Sequence, residues 1–530
     1  MQPALYLDAN ATSHVLPAAR DAALRAMAVQ FGNPSSTHAH GRVAKDLMEQ
    51  ARAVAAEVLG AGGHHVVFTS GATEGIQTAV LSALCDIRAR RDAGQTTGKL
   101  LVYGATEHKA VPQALAHWNT VLGLGLELRA LPVDCNGQHD LAMLKTWLPD
   151  TELVCTMAAN NETGAVTHLA GLDQLLRAWP TRPLWLLDGV QALGKIALDL
   201  QSLCVDYAVF SGHKLYAPKG VGMLYVRREA PFTALMAGGG QEGGFRSGTE
   251  NMPGIAALGV VLHALAQGDT FTSHATLQSY RDQIEATLRA AFSGIVFNTP
   301  LAHSLPTTLN FSVPGLSSKT IVDVFDAAGV RVSAGSACSS AKAAPSYVLE
   351  AMGLPRWQAD SAVRLSIGPL ADAALLDAAC EAIARCAQAL ALPTALAVDS
   401  PLAPQLSNSV SNAEAAAYTL HWGELDGFIA AHPATQFIDV REAAENMAGN
   451  GLRFGGRSAR NVPLSLMSCI APAWCSSPGA PVVLVCRSGN RSLKVAHWLQ
   501  SQGYTTVRHL HGGLALQPEC PGGWPPVSPA

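Results

Sequence analysis

Apolar residues recur at helical spacing in the segment "HGRVAKDLMEQARAVAAEVLGAGG". The helix that this spacing predicts carries, along one face, the apolar side chains of Val43, Leu47, Ala51, Val54 and Val58. Gly60 follows the last of them, and glycine commonly ends a helix because it adopts a left-handed backbone conformation. The pattern therefore predicts an amphipathic helix that stops at Gly60 and packs through this face.

Short apolar runs that end in polar clusters alternate with such helical segments over the first 390 residues. The runs are "VVFTSGATEG", "LLVYGATEHK", "ELVCTMAANNETG", "LWLLDGVQ" and "DYAVFSGHK". This alternation predicts a mostly parallel sheet flanked by helices. Because ligands bind at the carboxyl ends of the strands in such sheets, the polar clusters are the candidate binding residues.

A second unit follows a change in composition. Residues 395–415, "ALAVDSPLAPQLSNSVSNAEA", are rich in Pro, Ser and Asn and show no periodicity, which is typical of a linker. Beyond it, "TQFIDVREAAE", "RSARNVPLS", "APVVLVCRSGN" and "YTTVRHLHGG" predict a smaller α/β unit. We therefore expect one domain over residues 1–394 and another over residues 416–530.

Composition narrows the function classes. The chain has 530 residues, of which 48% are hydrophobic and 14% charged, as expected of a well-cored soluble protein. A net charge of -4 gives no reason to expect nucleic acid or an anionic membrane as a partner. The longest apolar stretch, "GIAALGVVLHALA", is too short to span a bilayer, and "MQPALYLDANATSH" lacks a secretory pattern. Eleven cysteines without a C-x-x-C pair, and histidines without ligand spacing, favour the reducing cytoplasm and no metal site.

Lys214 in "FSGHKLYAPKGVG" is the candidate centre of the chemistry. Asp188 ends another apolar run and is suited to pair with the ring nitrogen of a pyridine cofactor. "SGATEG" offers Thr73 and the N–H groups of a helix start to a phosphate, and "TEHK" offers His108 as a flat ring for stacking. An imine-forming lysine, an acid and a phosphate cradle are together what pyridoxal phosphate requires.

These segments resemble the pyridoxal-phosphate-dependent cysteine desulfurases, which have the aminotransferase fold type I. The matching stretches between residues 5 and 390 include "YLDANATSH", "FGNPSSTHAHGR", "NNETGAV", "DGVQALGK", "GGGQEGGFRSGTEN", "SAGSACSSA" and "VRLSIG". The resemblance implies a large domain of mixed, mostly parallel sheet over about residues 15–260. It also implies a small α/β domain built from the N-terminal segment and residues 261–394.

The resemblance also assigns roles. Lys214 would bind the cofactor covalently, and the remaining cofactor contacts would come from Ala72, Thr73, His108, Asn161, Asp188, Gln191, Ser211, His213 and Thr249. Thr249 would reach across from a neighbouring subunit, which implies a homodimer. Arg364 would bind the substrate carboxylate through two hydrogen bonds, a geometry that lysine cannot match.

Cys338 in "SAGSACSSAKAAPS" would be the nucleophile of this reaction. The expected reaction converts L-cysteine into L-alanine and leaves a persulfide on Cys338. Small residues on both sides of Cys338 predict a loop that can present its sulfur to an acceptor. A selenocysteine lyase or an aminotransferase of the same fold type is the alternative, and an aminotransferase would not need Cys338.

Cys486 in "VVLVCRSGNRS" is placed where an apolar run enters a glycine-containing loop before a predicted helix. Arg487 and Arg491, together with the helix N-terminus, would hold the thiol as a thiolate and bind an anionic substrate. Phosphatase loops also place a cysteine and an arginine around an anion, with five residues between the two. Cys486 and Arg491 are separated by four residues, which favours a smaller ligand such as sulfur.

The second unit resembles a rhodanese over about residues 415–520. Cys486 would then carry a persulfide, and Asp439 and Arg441 in "FIDVREAAE" would form a buried supporting pair. A linker of about 20 residues spans roughly 25 Å, so Cys486 could receive sulfur from Cys338. The final acceptor would be an iron-sulfur scaffold, a tRNA-thiolation protein or a small thiol. Alternatively, the unit is a docking module or an independent sulfurtransferase.

Overall fold

A computed structural model of the chain describes residues 5–334, 346–391, 412–467 and 479–518. The chain divides into two compact units. The N-terminal unit comprises residues 6–318 and 332–377, and the C-terminal unit comprises residues 1–5, 319–331 and 378–530. Most of the predicted linker lies outside the described residues, and a helix begins at Asn412, before the predicted end of the linker.

The helices are α1 Pro17–Ala28, α2 Ala39–Leu59, α3 Ala72–Asp92, α4 Ala110–Val121, α5 Leu141–Trp147, α6 Leu169–Arg177, α7 Met252–Gln267, α8 His274–Ala291, α9 Ser318–Ala327, α10 Tyr347–Ala351, α11 Arg356–Ser361, α12 Ala373–Ala391, α13 Asn412–Tyr418, α14 Leu425–Ala431, α15 Ala443–Ala448 and α16 Asn490–Ser501. None of them is both long and apolar enough to cross a membrane within the part of the chain that the structure describes.

The strands are β1 Leu5–Tyr6, β2 His65–Thr69, β3 Leu100–Gly104, β4 Glu127–Leu131, β5 Thr151–Met157, β6 Leu184–Asp188, β7 Tyr207–Ser211, β8 Gly222–Val226, β9 Val296–Phe297, β10 Thr308–Ser312, β11 Val330–Arg331, β12 Ser333–Ala334, β13 Val363–Ser366, β14 Thr419–Leu420, β15 Gln436–Asp439, β16 Arg453–Phe454, β17 Arg457–Ser458, β18 Arg460–Asn461, β19 Val482–Val485 and β20 Val507–Leu510.

A seven-stranded sheet forms the centre of the N-terminal unit, in the order β2-β8-β7-β6-β5-β3-β4. The five apolar runs form β2, β3, β5, β6 and β7, and the predicted mostly parallel sheet is confirmed. Only β8 runs antiparallel to its neighbours in this sheet. Val154 on β5 faces one hydrophobic core, whereas Leu153 and Cys155 face the other. Helices therefore cover both faces, as a sheet with apolar side chains on both sides requires.

Helix α2 confirms the predicted amphipathic helix but corrects its buried face. Gly60 adopts a left-handed backbone conformation directly after Leu59, as predicted. The buried stripe, however, is Gly41, Ala44, Met48, Ala51, Ala55 and Leu59, and Val43 is 46% exposed. Close packing is the reason, because a Cβ on Gly259 of α7 would lie only 2.8 Å from the Cβ of Ala51. Small side chains therefore face α7, and most of the larger predicted residues flank them.

A smaller antiparallel sheet in the same unit has the order β12-β13-β10-β9. Arg364 lies on β13, where it pairs with Asn310 of β10 and with Ser333 of β12. A position on a central strand fixes the backbone of Arg364 on both sides. The sheet thus provides a rigid support for the arginine that is predicted to bind the carboxylate of the amino-acid substrate.

The C-terminal unit contains a five-stranded parallel sheet in the order β14-β20-β19-β15-β18. Its four predicted segments supply β15, β18, β19 and β20. Val482 and Leu484 contribute to one hydrophobic core, and Val483 and Val485 contribute to another. Successive side chains point to opposite faces of a strand, so this continuous apolar run packs on both sides and ends directly at Cys486.

Candidate active site

Five parallel strands bring the predicted cofactor residues to one edge of the large sheet. Strand β6 ends at Asp188, and β7 ends at Ser211, three residues before Lys214. His108 follows β3 and Asn161 follows β5 in the same way. Parallel strands expose their carboxyl ends on one side, so residues that are distant in sequence become neighbours there.

A cavity of about 490 Å³ lies at this edge. Most of the residues predicted to bind the cofactor or the substrate carboxylate line it: Ala72, Thr73, His108, Asn161, Asp188, Gln191, Ser211, His213, Lys214 and Arg364. The structure therefore brings together side chains that span almost 300 positions of the sequence. Further lining residues that the sequence did not single out include Asn10, Ala11, Lys109, Glu162, Lys219 and Tyr347.

The start of helix α3 forms one wall of the cavity. Its first N–H groups have no partner within the helix, and they point in the direction that favours an anion. Gly222 on β8 makes this approach to the sheet possible, because a Cβ there would lie 2.7 Å from the Cα of Gly71. Thr73 in the first turn adds a hydroxyl group, so this wall fits a phosphate group.

Lys214 has contacts that the sequence did not predict. Its Nζ donates hydrogen bonds to the carbonyl oxygens of Asn10 at 2.8 Å and Ala11 at 2.7 Å. Asn10 and Ala11 lie in the "DANATSH" segment, about 200 positions before Lys214. Nothing in the local pattern of either segment indicates the contact, because only the fold brings these segments together.

Asp188 and His213 have shifted pKa values. Burial raises the pKa of Asp188, while a backbone N–H and the nearby His108 and Lys214 lower it. A cation at the ring nitrogen of a cofactor would further favour the ionised carboxylate. Burial, with Lys214 and Lys219, lowers the pKa of His213 to about 4, so this ring is neutral at pH 7.

Two residues that line the cavity, Arg364 and Asn161, each have a buried polar atom without a partner among the described residues, as expected of a site built for a ligand. Arg364 is 1% exposed, and its guanidinium donates to Asp8 at 2.6 Å and to the carbonyl oxygen of Asn161 at 3.0 Å. Its Nε and the Oδ1 of Asn161 have no hydrogen-bond partner among the described residues. Buried polar groups are normally paired, so these two atoms fit a polar ligand in the cavity. Together with Lys214, Asp188 and the wall formed by α3, they fit pyridoxal phosphate and an amino-acid carboxylate.

Two predicted residues are not part of this cavity. Thr249 lines a separate cavity of about 320 Å³ that also involves Asn33 and Pro253. Its predicted contact with a cofactor in another subunit stays a prediction. Cys338 lies outside the described residues, so its role as nucleophile also stays a prediction.

Cys486 lies at the end of β19, immediately before the loop that leads into α16. Its Sγ is buried, accepts a hydrogen bond from the N–H of Ser492 at 3.4 Å, and lies 3.4 Å from the Ser492 hydroxyl oxygen. Gly513 supports the loop from outside, because a Cβ there would lie 2.2 Å from the carbonyl oxygen of Cys486. The N–H of Ser492, in the first turn of α16, therefore points at the sulfur.

The two arginines of this loop are paired with carboxylates. Arg487 binds Asp323 at 2.6 Å and Asp326 at 2.9 Å. Arg491 forms two hydrogen bonds with Glu445, at 2.6 and 2.7 Å. Carboxylates therefore balance the charge of each guanidinium group. The sequence predicted two arginines that bind an anion but did not predict these carboxylate partners. Their role in binding an anionic substrate stays a prediction.

Asp439 and Arg441 form the buried pair that the sequence predicts. Both side chains are almost fully buried, and the Nε and Nη2 of Arg441 donate to the Asp439 carboxylate at 2.8 to 3.1 Å. Asn446 donates a further hydrogen bond to Asp439 at 2.9 Å. Breaking a buried pair by removing one partner is strongly destabilising, because the other charge remains buried and unbalanced.

We expect Asp439→Asn to destabilise the C-terminal unit by about 3 kcal/mol, since it leaves the guanidinium of Arg441 without a counter-charge. Hydrogen exchange of the β15 and β19 amides in the full chain would measure the loss. Asp21→Asn is the matched control, because Asp21 pairs with Arg20 at the exposed surface and should change stability by at most about 0.5 kcal/mol. Equal effects of the two substitutions would contradict the supporting role of Asp439.

Comparisons with known proteins agree with this geometry. Residues 5–378 match the aminotransferase class-V family, and residues 423–516 match the rhodanese-like domain family. A cysteine desulfurase IscS from Anaeromyxobacter dehalogenans is 37% identical over 372 residues, which cover 69% of this chain and 88% of that protein. A cysteine desulfurase from Cereibacter sphaeroides is 37% identical over 376 residues, which cover 70% of this chain and 93% of that protein.

Solved structures show the same relationship. A NifS-like protein superposes with a TM-score of 0.64 at 32% identity, covering 72% of this chain and 98% of that chain. A NifS-like protein from Rickettsia africae superposes with a TM-score of 0.59 at 25% identity, covering 71% of this chain and 98% of that chain.

The fold and the cavity define an enzyme of the aminotransferase class-V family, and the chain belongs to that family. Within it, the chain belongs with the cysteine desulfurases, which depend on pyridoxal phosphate. Unlike a desulfurase domain alone, it continues into a rhodanese-like domain. The predicted fold type, cofactor and second domain are thereby confirmed.

Proposed function

We propose that the protein converts L-cysteine into L-alanine, takes the released sulfur onto Cys338 and passes it to Cys486. The observation that carries the first step is the cavity that combines Lys214, Asp188 and Arg364 with unpaired buried polar atoms. The observation that carries the last step is a second cysteine, Cys486, at the start of a helix whose Ser492 N–H donates to its sulfur.

Arg364 binds and orients the carboxylate of the substrate. Its Nε has no partner among the described residues, so this atom remains to donate to an incoming carboxylate. Asp8 and the carbonyl oxygen of Asn161 hold the other guanidinium nitrogens and fix the plane of the group. A guanidinium group held in one plane therefore orients an α-carboxylate in the cavity that Lys214 also lines.

Lys214 anchors the cofactor and moves the proton at the α-carbon of the substrate. Pyridoxal phosphate, when bound, supplies an electron sink for the negative charge that develops at this carbon. Asp188 holds the proton on the ring nitrogen, and His108 lies at the cavity wall where a flat ring can stack. The carbonyl oxygens of Asn10 and Ala11 orient the amine of Lys214.

The Cys338 thiolate then attacks the sulfur of the substrate. A sulfur–sulfur bond forms, the bond between the sulfur and the β-carbon breaks, and its electron pair stays on that carbon. Protonation of the carbon gives alanine, and the sulfur atom remains on Cys338 as a persulfide. The thiolate is needed because it is a far better sulfur nucleophile than a hydroxyl group.

Cys486 receives the outer sulfur of this persulfide by a second exchange. The Cys486 thiolate attacks the outer sulfur, a new sulfur–sulfur bond forms, and Cys338 leaves as a thiolate. The Ser492 N–H, 3.4 Å from the Cys486 sulfur, stabilises negative charge at that position. Because Cys486 has no exposed surface in the structure, the transfer requires its loop to open toward the donor.

Cys486→Ser should leave alanine formation intact when a small thiol clears Cys338, because Cys486 acts only after the first transfer. It should also abolish labelling of the C-terminal fragment after incubation with sulfur-labelled cysteine and proteolysis within "PLAPQLSNSVSN". Cys135→Ser is the matched control, because Cys135 is an exposed free thiol outside the proposed route. A labelled C-terminal fragment in the Cys486→Ser protein would contradict the relay.

Arg491→Ala is a less direct test of the same relay. Glu445 is almost fully buried and pairs with Arg491, so removing the arginine leaves a buried carboxylate without its counter-charge. We therefore expect weaker sulfur loading together with lower stability of the C-terminal unit. Cys486→Ser separates these two effects because it keeps both members of the ion pair.

We also propose a homodimer in the reducing cytoplasm, with Cys486 delivering sulfur to a protein scaffold or a small thiol. Cys486 is a free thiol, as a cysteine that carries a persulfide must be. Thr249 is exposed and lies outside the cofactor cavity of its own chain, which supports a contact with the cavity of a neighbouring subunit.

A further inference from the structure

The side-chain amide of Gln191 is part of a buried network behind the cofactor cavity. Lys195 donates hydrogen bonds to the Oε1 of Gln191 and, at 2.9 Å, to the Oδ1 of Asn10. The Nε2 of Gln191 donates to the carbonyl oxygen of Asn10 at 3.1 Å, and this same oxygen accepts a hydrogen bond from Lys214. Lys195 is therefore connected to the candidate catalytic lysine through the side chain of Gln191 and the backbone carbonyl of Asn10.

The two ends of an amide are nearly equal in size, so packing alone does not decide which end faces a ligand. Hydrogen-bond partners decide instead. The ammonium group of a protonated lysine has donors only, so the end of the Gln191 amide that faces Lys195 is its oxygen. The nitrogen end of Gln191 is then the one left to face the cavity, which Gln191 lines.

The resemblance to cysteine desulfurases implies that Gln191 lies near the phenolic oxygen of bound pyridoxal phosphate. We propose that Lys195 is a positioning residue that holds the amide of Gln191 with its nitrogen toward the cavity, so that Gln191 donates to this oxygen. This inference rests on the proposed function and adds a residue that does not itself touch the cofactor. Donation from Lys195 to Oε1 also polarises the amide and strengthens its N–H groups as donors.

The burial of Lys195 supports this role. Lys195 is only 4% exposed, so its charge does not contribute to the solubility of the protein. Burial of an amine is costly unless its hydrogen bonds are satisfied. Burial, with the nearby Lys214 and Arg364, lowers the pKa of Lys195 to about 7. A neutral amine keeps two N–H donors, which match its two acceptors, the Oε1 of Gln191 and the Oδ1 of Asn10, so both hydrogen bonds persist when Lys195 loses its proton.

A double-mutant cycle in the holoenzyme tests the inference. The measured quantity is the pKa of the visible absorption band of the bound cofactor, from spectra recorded across pH. A donor at the phenolic oxygen stabilises its anion and lowers this pKa, so Lys195→Met should raise it by about one unit. In a Gln191→Met background, the same substitution should have little further effect, because the amide through which Lys195 acts is gone. Lys45→Met, at an exposed position of α2, is the control.

Two results would overturn the inference: no shift with Lys195→Met, or an equal shift in both backgrounds, which would mean that the charge of Lys195 acts directly. If Lys195→Met no longer binds the cofactor, Lys195→Arg is the variant to measure, because arginine keeps N–H donors for the Oε1 of Gln191. Recovery of the wild-type pKa by Lys195→Arg supports the inference, and failure to recover it counts against it. A wild-type protein that never gains a visible band would instead contradict the proposed function.

Discussion

Lys214→Ala should remove the covalent link to pyridoxal phosphate. It should also lower the rate of alanine formation by at least about 10²–10⁴-fold, which is the usual contribution of a proton-transfer residue. The phosphate wall formed by α3 and the carboxylate of Asp188 remain, so the variant should still bind the cofactor without a covalent bond. Borohydride reduction followed by mass spectrometry would show a pyridoxyl group on Lys214 in the wild type and none in the variant.

Lys45→Ala is the control for this experiment, since Lys45 is exposed on α2 and should change neither the spectrum nor the turnover. A pyridoxyl group attached elsewhere in the wild type, for example on buried Lys195, would show that the anchoring lysine is misassigned. Undiminished turnover by Lys214→Ala would have the same consequence for its proton-transfer role.

Cys338→Ser should lower alanine formation by more than about 100-fold, because a hydroxyl group is a poor nucleophile toward sulfur. Its cofactor spectrum should match the wild type, since the substitution keeps every described residue that lines the cavity. Rapid quench and quantification of alanine would measure the loss. Cys380→Ser, on α12, is a cysteine control that should keep full activity.

Persulfide mapping by mass spectrometry completes this test. In the wild type, the added sulfur should appear on Cys338 and Cys486, whereas Cys338→Ser should carry none on Cys486. Sulfur on Cys486 in the absence of Cys338 would mean that the rhodanese-like domain is loaded independently and that the two cysteines do not form a relay.

The local sequence determined much of the fold. Apolar runs ending in polar clusters predicted β2, β3, β5, β6 and β7, because a strand buried on both faces needs a continuous apolar run. From the same runs, the sequence predicted that Asp188 ends its strand and that Lys214 follows the carboxyl end of another. Helix α2 shows the limit of such patterns, because its periodicity predicted the helix and its end but not which small residues would pack against α7.

The sequence by itself determined the chemistry available to this protein: an imine-forming lysine, an acid, a phosphate cradle and two candidate sulfur-carrying cysteines, in two units. Each of these signals is local, so each can be recognised in a short stretch of chain. Tertiary structure alone decided the partners of these groups. Asn10 orients Lys214, Lys195 holds Gln191, and Arg487 and Arg491 are balanced by carboxylates. Most of these contacts join segments that are far apart in sequence, and only the packing of the fold sets the distance between them.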